Sequence, residues 1–68
     1  MRIEITLKIT REYRGPFEAL YKAHMTFDGE TFFLGKLITN DEKTAVEYFK
    51  NGAEKLTGGI VAETIITK

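Results

Sequence analysis

Cysteine, serine, glutamine and tryptophan are absent from this 68-residue chain, and histidine and proline occur once each, as His24 and Pro16. Without cysteine there is no disulfide staple and no thiolate metal site, and one imidazole cannot build a structural zinc centre. The lack of Ser and Cys removes the two commonest side-chain nucleophiles, leaving carboxylates, Lys, Tyr, Thr or His24 for any catalysis. An excess of one charge sign is missing too, because ten basic side chains balance ten acidic ones. They are interspersed along the chain. Residues 1–40 hold six basic and five acidic groups and residues 41–68 hold four and five, so neither half attracts nucleic acid by net charge. No apolar run approaches the roughly 20 residues needed to cross a bilayer. Together these absences predict a non-enzymatic cytoplasmic protein with no cofactor and no metal. The same omissions, beside many Ile, Glu, Lys and Thr, fit a heat-adapted source or a designed chain without a natural function.

At this length residues 1–68 are expected to form one compact domain near the lower limit for a single core. Such a domain buries only about 60% of the surface of its unfolded chain, and small domains without staples lean on oligomerisation or tight packing.

What is present is patterned. Ile3, Ile5, Leu7 and Ile9 alternate with Arg2, Glu4, Thr6, Lys8 and Thr10, which predicts a strand buried on one face and wet on the other. Gly15-Pro16 ends that pattern in a loop. From Glu18 to Phe27 the alternation resumes, with Ala19, Tyr21, Ala23, Met25 and Phe27 on one side and Leu20, Lys22, His24 and Thr26 on the other. Asp28-Gly29 then offers a tight hairpin turn, since Gly accepts positive φ and Asp tolerates it.

The third strand, Thr31–Ile38, is apolar on both faces. A two-residue turn pairs Met25 with Phe32 and directs Phe32, Leu34 and Ile38 inward, leaving Phe33 and Leu37 outside. A three-residue turn with Gly29 in a bulge swaps the faces. The two-residue register buries more apolar area and is preferred. Thr39-Asn40-Asp41-Glu42 reads as a capping box with Thr39 as the cap. Ala45, Val46, Phe49, Ala53 and Leu56 form one apolar helical stripe, ended by Gly58-Gly59. Gly52, at the edge of this stripe, suggests close approach of helix to sheet.

Ile60–Thr67 forms the last strand. A helix of about 17 residues spans about 26 Å, close to the length of eight strand residues, so it serves as a crossover. Right-handed crossovers put the last strand parallel to the first and beside it. The expected fold is α+β: a four-stranded mixed sheet, β-β-β-α-β in order 3-2-1-4, with one helix packed on one face. That order resembles the first part of a ribonuclease-H-like sheet and of its truncated relatives among small antitoxins, although no motif here carries the resemblance. Glu4, Glu47 and Glu63 are the carboxylates that could hold Mg²⁺ in such a setting. Glu4, however, points away from the face that Ile3, Ile5 and Leu7 give to the helix, and all three carboxylates read as solvated surface.

One helix leaves the other sheet face bare. On it Leu20, Phe33 and Leu37 gather around Lys22 and His24, an apolar patch of about 300 Å², near the upper end for ordinary monomers. These five residues are the expected partner contact, with a second copy of the chain as the partner. Two alternatives stand beside this homodimer. One is a phage- or mobile-element-encoded inhibitor or adaptor of a host enzyme. The other is a weak nucleic-acid binder using Arg11, Tyr13 and Arg14, which interleave cations and aromatics. In that segment Phe17 is expected to tuck inward.

Overall fold

The computed structural model describes residues 3–13 and 15–67. Strands β1 (Glu4–Tyr13), β2 (Ala19–Phe27) and β3 (Glu30–Thr39) are followed by helix α1 (Glu42–Thr57) and strand β4 (Ile60–Thr67). The sheet order is β3-β2-β1-β4, with β1 antiparallel to β2, β2 antiparallel to β3, and β4 parallel to β1. This is the mixed sheet and single crossover helix that the patterning predicts.

The β2–β3 turn is the two-residue form. Asp28 and Gly29 have φ of 54° and 76°, the left-handed pair that matches the twist of the flanking strands. Phe27 pairs with Glu30 and Met25 with Phe32. Phe32 therefore lies on the helix side and Phe33 on the bare side. The register then shifts: His24 pairs with Phe33 and Ala23 with Gly35, so Leu34 is an extra residue in a β-bulge. Leu34 packs against the core, and the alternation beyond it inverts. Leu37, opposite Tyr21, packs against the core, whereas Ile38, opposite Leu20, is 49% exposed. The sequence expectation for these two residues is reversed because a one-residue bulge moves every later side chain to the other face.

The core lies between α1 and the β1–β2–β3 part of the sheet. Ala45, Phe49 and Ala53 of the helix meet Ile5, Leu7 and Ile9 of β1 and Tyr21, Ala23 and Met25 of β2. Small residues face the one large helix anchor: Ala23 is fully buried in the Phe49 cluster, and a Cβ built on Gly35 would meet Phe49 Cε1 at 3.9 Å, an ordinary contact. Leu56 is 70% exposed and falls outside the stripe predicted for it. Gly52 does not mark a close approach, since nothing lies within 4 Å of a Cβ built there. The close approach is at Gly59, where a Cβ would sit 2.5 Å from the Ile3 carbonyl oxygen.

The helix is capped by Asp41, not Thr39. Its carboxylate accepts from the Lys43 N–H at 3.1 Å and from the Thr44 hydroxyl at 2.7 Å, while the Thr39 hydroxyl accepts from the Asp41 N–H at 3.2 Å. Asp at the cap satisfies the orphan donors of the first turn with a full charge, which a Thr hydroxyl lacks. The far end stops at Gly58, in the left-handed conformation, whose N–H donates to the Glu54 carbonyl at 2.8 Å. No helix among the described residues is long and apolar enough to cross a membrane.

Candidate functional site

The bare sheet face has a polar middle and two apolar margins. Along β1 it presents Glu4, Thr6, Lys8, Thr10 and Glu12, the residues that alternate with the buried Ile5, Leu7 and Ile9. The β2–β3 margin carries Leu20, Lys22, His24, Phe33, Lys36 and Ile38, and the β4 margin carries Ile65 and Glu63. Of the five residues predicted to form the contact, the fold brings Leu20, Lys22, His24 and Phe33 together and sends Leu37 to the other face. Leu20 sits on the expected face but is only 6% exposed. Its cross-strand neighbours are Glu12 and Ile38, and the Glu12–Lys22 pair at 3.4 Å spans the surface beside it. It supports the patch and is not its tip.

The accessible apolar groups of this margin are Phe33, 58% exposed, and Ile38. Phe33 meets the His24 ring edge-on, with centroids 5.3 Å apart. Beside this pair, the Thr26 and Thr31 hydroxyls share a hydrogen bond at 3.0 Å. Ile38 is the residue that sequence reasoning missed. Gly35 next to a continuous apolar run was the available signal, because a glycine inside a strand marks bulges.

The cation–aromatic segment is largely closed on itself. Arg11 lies opposite Tyr21 on the helix side of the sheet. Its guanidinium donates to the Tyr13 hydroxyl at 2.6 Å, lies 4.7 Å from the centre of that ring, and reaches the Glu42 carboxylate at 3.4 Å. The Tyr21 side chain facing it across the strands is the main cause that holds the Arg11 pKa above its ordinary value. Arg11 is thus a strut between β1, β2 and the start of α1, and its Nε is buried without a partner among the described residues. Tyr13 and Phe17 flank an open cavity of about 380 Å³ above it, which Glu18 and Asn40 also line. Phe17 is 79% exposed, contrary to the inward position expected of it. Arg14, the third residue assigned to this patch, lies outside the described residues.

No group of three or more His, Cys, Asp or Glu able to hold a metal ion occurs among the described residues. Glu4 and Glu63 project from the bare face, and Glu47 stands exposed on α1 across the sheet from them. On the helix side, an open groove of about 760 Å³ runs between α1 and β3, lined by Leu34, Gly35, Tyr48, Phe49, Gly52 and Leu56 among others. Comparisons with family models, curated proteins and solved structures find no match to this chain.

Proposed function

We propose that this chain is a small non-enzymatic protein-association module that binds a second copy of itself through the β2–β3 margin of the bare sheet face. The observation that carries this reading is the exposure of Phe33 and Ile38 along β3, on either side of Lys36, on a face that no other element among the described residues covers. Sheet-on-sheet packing of two such faces would bury both residues against their counterparts. Lys22 and Lys36, paired between these two residues, would extend their long side chains out of the contact to keep their charge in water.

A second copy is the favoured occupant for two reasons. The chain exposes 4814 Å², more than the about 4,400 Å² expected for a compact monomer of its mass, which is surface that an identical copy can cover. Zero formal net charge also removes long-range repulsion between copies. The absence of cysteine supports a reducing, cytoplasmic setting.

Sedimentation velocity tests the reading. Phe33→Glu should slow sedimentation while the circular dichroism spectrum and melting profile of the fold persist. Unchanged sedimentation in this variant would remove the face contact. The alternative, an inhibitor or adaptor that binds a host enzyme, draws on the α1–β3 groove, where Tyr48 and Leu56 stand exposed. A chain that stays monomeric at every concentration would shift the weight to it.

A further inference from the structure

We infer that β4 pairs edge to edge with β4 of a second copy, antiparallel and centred on Ile65, joining two four-stranded sheets into one of eight strands. This contact lies at the opposite edge of the sheet from Phe33 and goes beyond the face contact proposed above.

The open edge of β4 can be read from its partners. The Ile60 N–H donates to the Ile3 carbonyl at 2.8 Å, so Ile60, opposite Glu4, directs its backbone groups toward β1. Val61, opposite Ile5, directs its N–H away, to the Glu54 carboxylate at 3.0 Å. Beyond the bulge at Ala62 the register is regular, with Glu63, Ile65 and Thr67 opposite Thr6, Lys8 and Thr10. By the same parity these three point their backbone groups toward β1. Thr64 and Ile66, opposite Leu7 and Ile9, turn theirs to the open edge.

That edge has few of the features that usually block pairing. From Glu63 to Thr67 there is no Pro, no Lys and no bulge, and every residue is exposed. Thr64, Ile65, Ile66 and Thr67 are all β-branched, the residue class best suited to a sheet. Glu54 caps the edge only at Val61, outside this window.

A second copy fits this edge under two-fold symmetry. A two-fold axis perpendicular to the sheet keeps faces matched only when each residue meets one of its own parity. Centring on Ile65 satisfies this condition and sets Thr64 against the partner's Ile66. Both of these residues face the open edge, so the two-fold pair forms four backbone hydrogen bonds. Ile65 then meets its own counterpart as a close, non-hydrogen-bonded pair on the bare face. Glu63 falls opposite Thr67, whereas a register centred on Glu63 would oppose two like charges.

Because the chain has no cysteine, single cysteines report this register directly. The Cα atoms of a non-hydrogen-bonded pair lie about 4.5 Å apart, within disulfide range, whereas two Glu63 positions would be about 13 Å apart along the strands. In a Phe33→Glu background, which removes the face contact, Ile65→Cys should oxidise to a covalent dimer and Glu63→Cys should not. A folded Ile65→Cys that stays monomeric, or equal cross-linking of both variants, overturns the proposal.

Amide exchange in the unmutated chain gives a readout that needs no substitution. The Thr64 and Ile66 N–H groups should be protected in concentrated solution and exchange at least tenfold faster on dilution. Fast exchange of both at all concentrations also overturns the proposal. Loss of the face contact alone would leave this protection intact.

Discussion

β3 and β4 are both edge strands, but they are finished differently. β3 is bulged at Leu34, carries an exposed Lys36, and gives Leu34 and Leu37 to the core under α1. β4 gives only Val61 to that core and is exposed on both faces beyond it. One helix about 10 Å across cannot cover a sheet about 19 Å wide, and α1 lies over the β3 side. Apolar residues therefore have different meanings at the two edges. At β3 they divide between core and bare face, and at β4 only Val61 joins the core while Ile65 and Ile66 stay exposed on opposite faces of the single chain.

The largest expected effect tests where the core ends. Phe49→Ala removes the main helix anchor and should lower stability by about 3–5 kcal/mol. That is a large share of the roughly 3–10 kcal/mol typical of a domain this size, so urea unfolding should find little folded protein left. Replacing Ile66, an exposed helix-side residue of β4, by Ala should cost less than about 1 kcal/mol. Similar losses from both changes would mean that β4 is as much part of the core as β3.

The bulge is tested by a pair of neighbours. Leu37→Ala should destabilise by about 2 kcal/mol, while Ile38→Ala should fall within about 0.5 kcal/mol of the parent. The reverse ranking in thermal melts would place the strand in the unbulged register.

Gly52→Ala should raise stability by about 0.8–1 kcal/mol, because the new methyl group meets no atom and the helix loses its most flexible interior residue. A destabilised variant would mean that β3 approaches the helix there more closely than the groove suggests.

The smallest effect is at the helix start. Asp41 has its pKa lowered, chiefly by the Thr44 hydroxyl bond and further by the Lys43 and Thr44 N–H groups. Its contribution is therefore complete above the unfolded carboxylate value and is lost as pH falls through the lower folded value. Acid titration of the melting temperature should show this decline, and it should be missing in Asp41→Asn.

The strands, the hairpin turn, the sheet order and the crossover were legible because each rests on local pattern: strict alternation in β1, Asp28-Gly29 at the turn, and the helical spacing of Ala45, Phe49 and Ala53. The bulge at Leu34 was not, because both phases of an apolar run such as Phe32–Ile38 satisfy a strand pattern. The misplacement of Leu37 follows directly from that ambiguity. Leu56 fits the helical period but lies beyond the sheet area that α1 covers. Asp41 and Thr39 are both good caps, and only the path of the chain decides between them. That β4 is an edge strand follows from the predicted order, but which of its residues turn their backbone groups outward depends on the bulge at Ala62, which no residue there announces.

The most direct test of self-association is the light-scattering mass of the unmodified chain, Phe33→Glu, Thr64→Pro and the double variant across a concentration series. Thr64→Pro removes an edge-facing N–H while sparing the ladder to β1. The unmodified chain should exceed twice its 7.8 kDa mass, each single variant should stop at twice, and the double variant should remain at 7.8 kDa. An unmodified chain that stays at 7.8 kDa throughout would contradict the account.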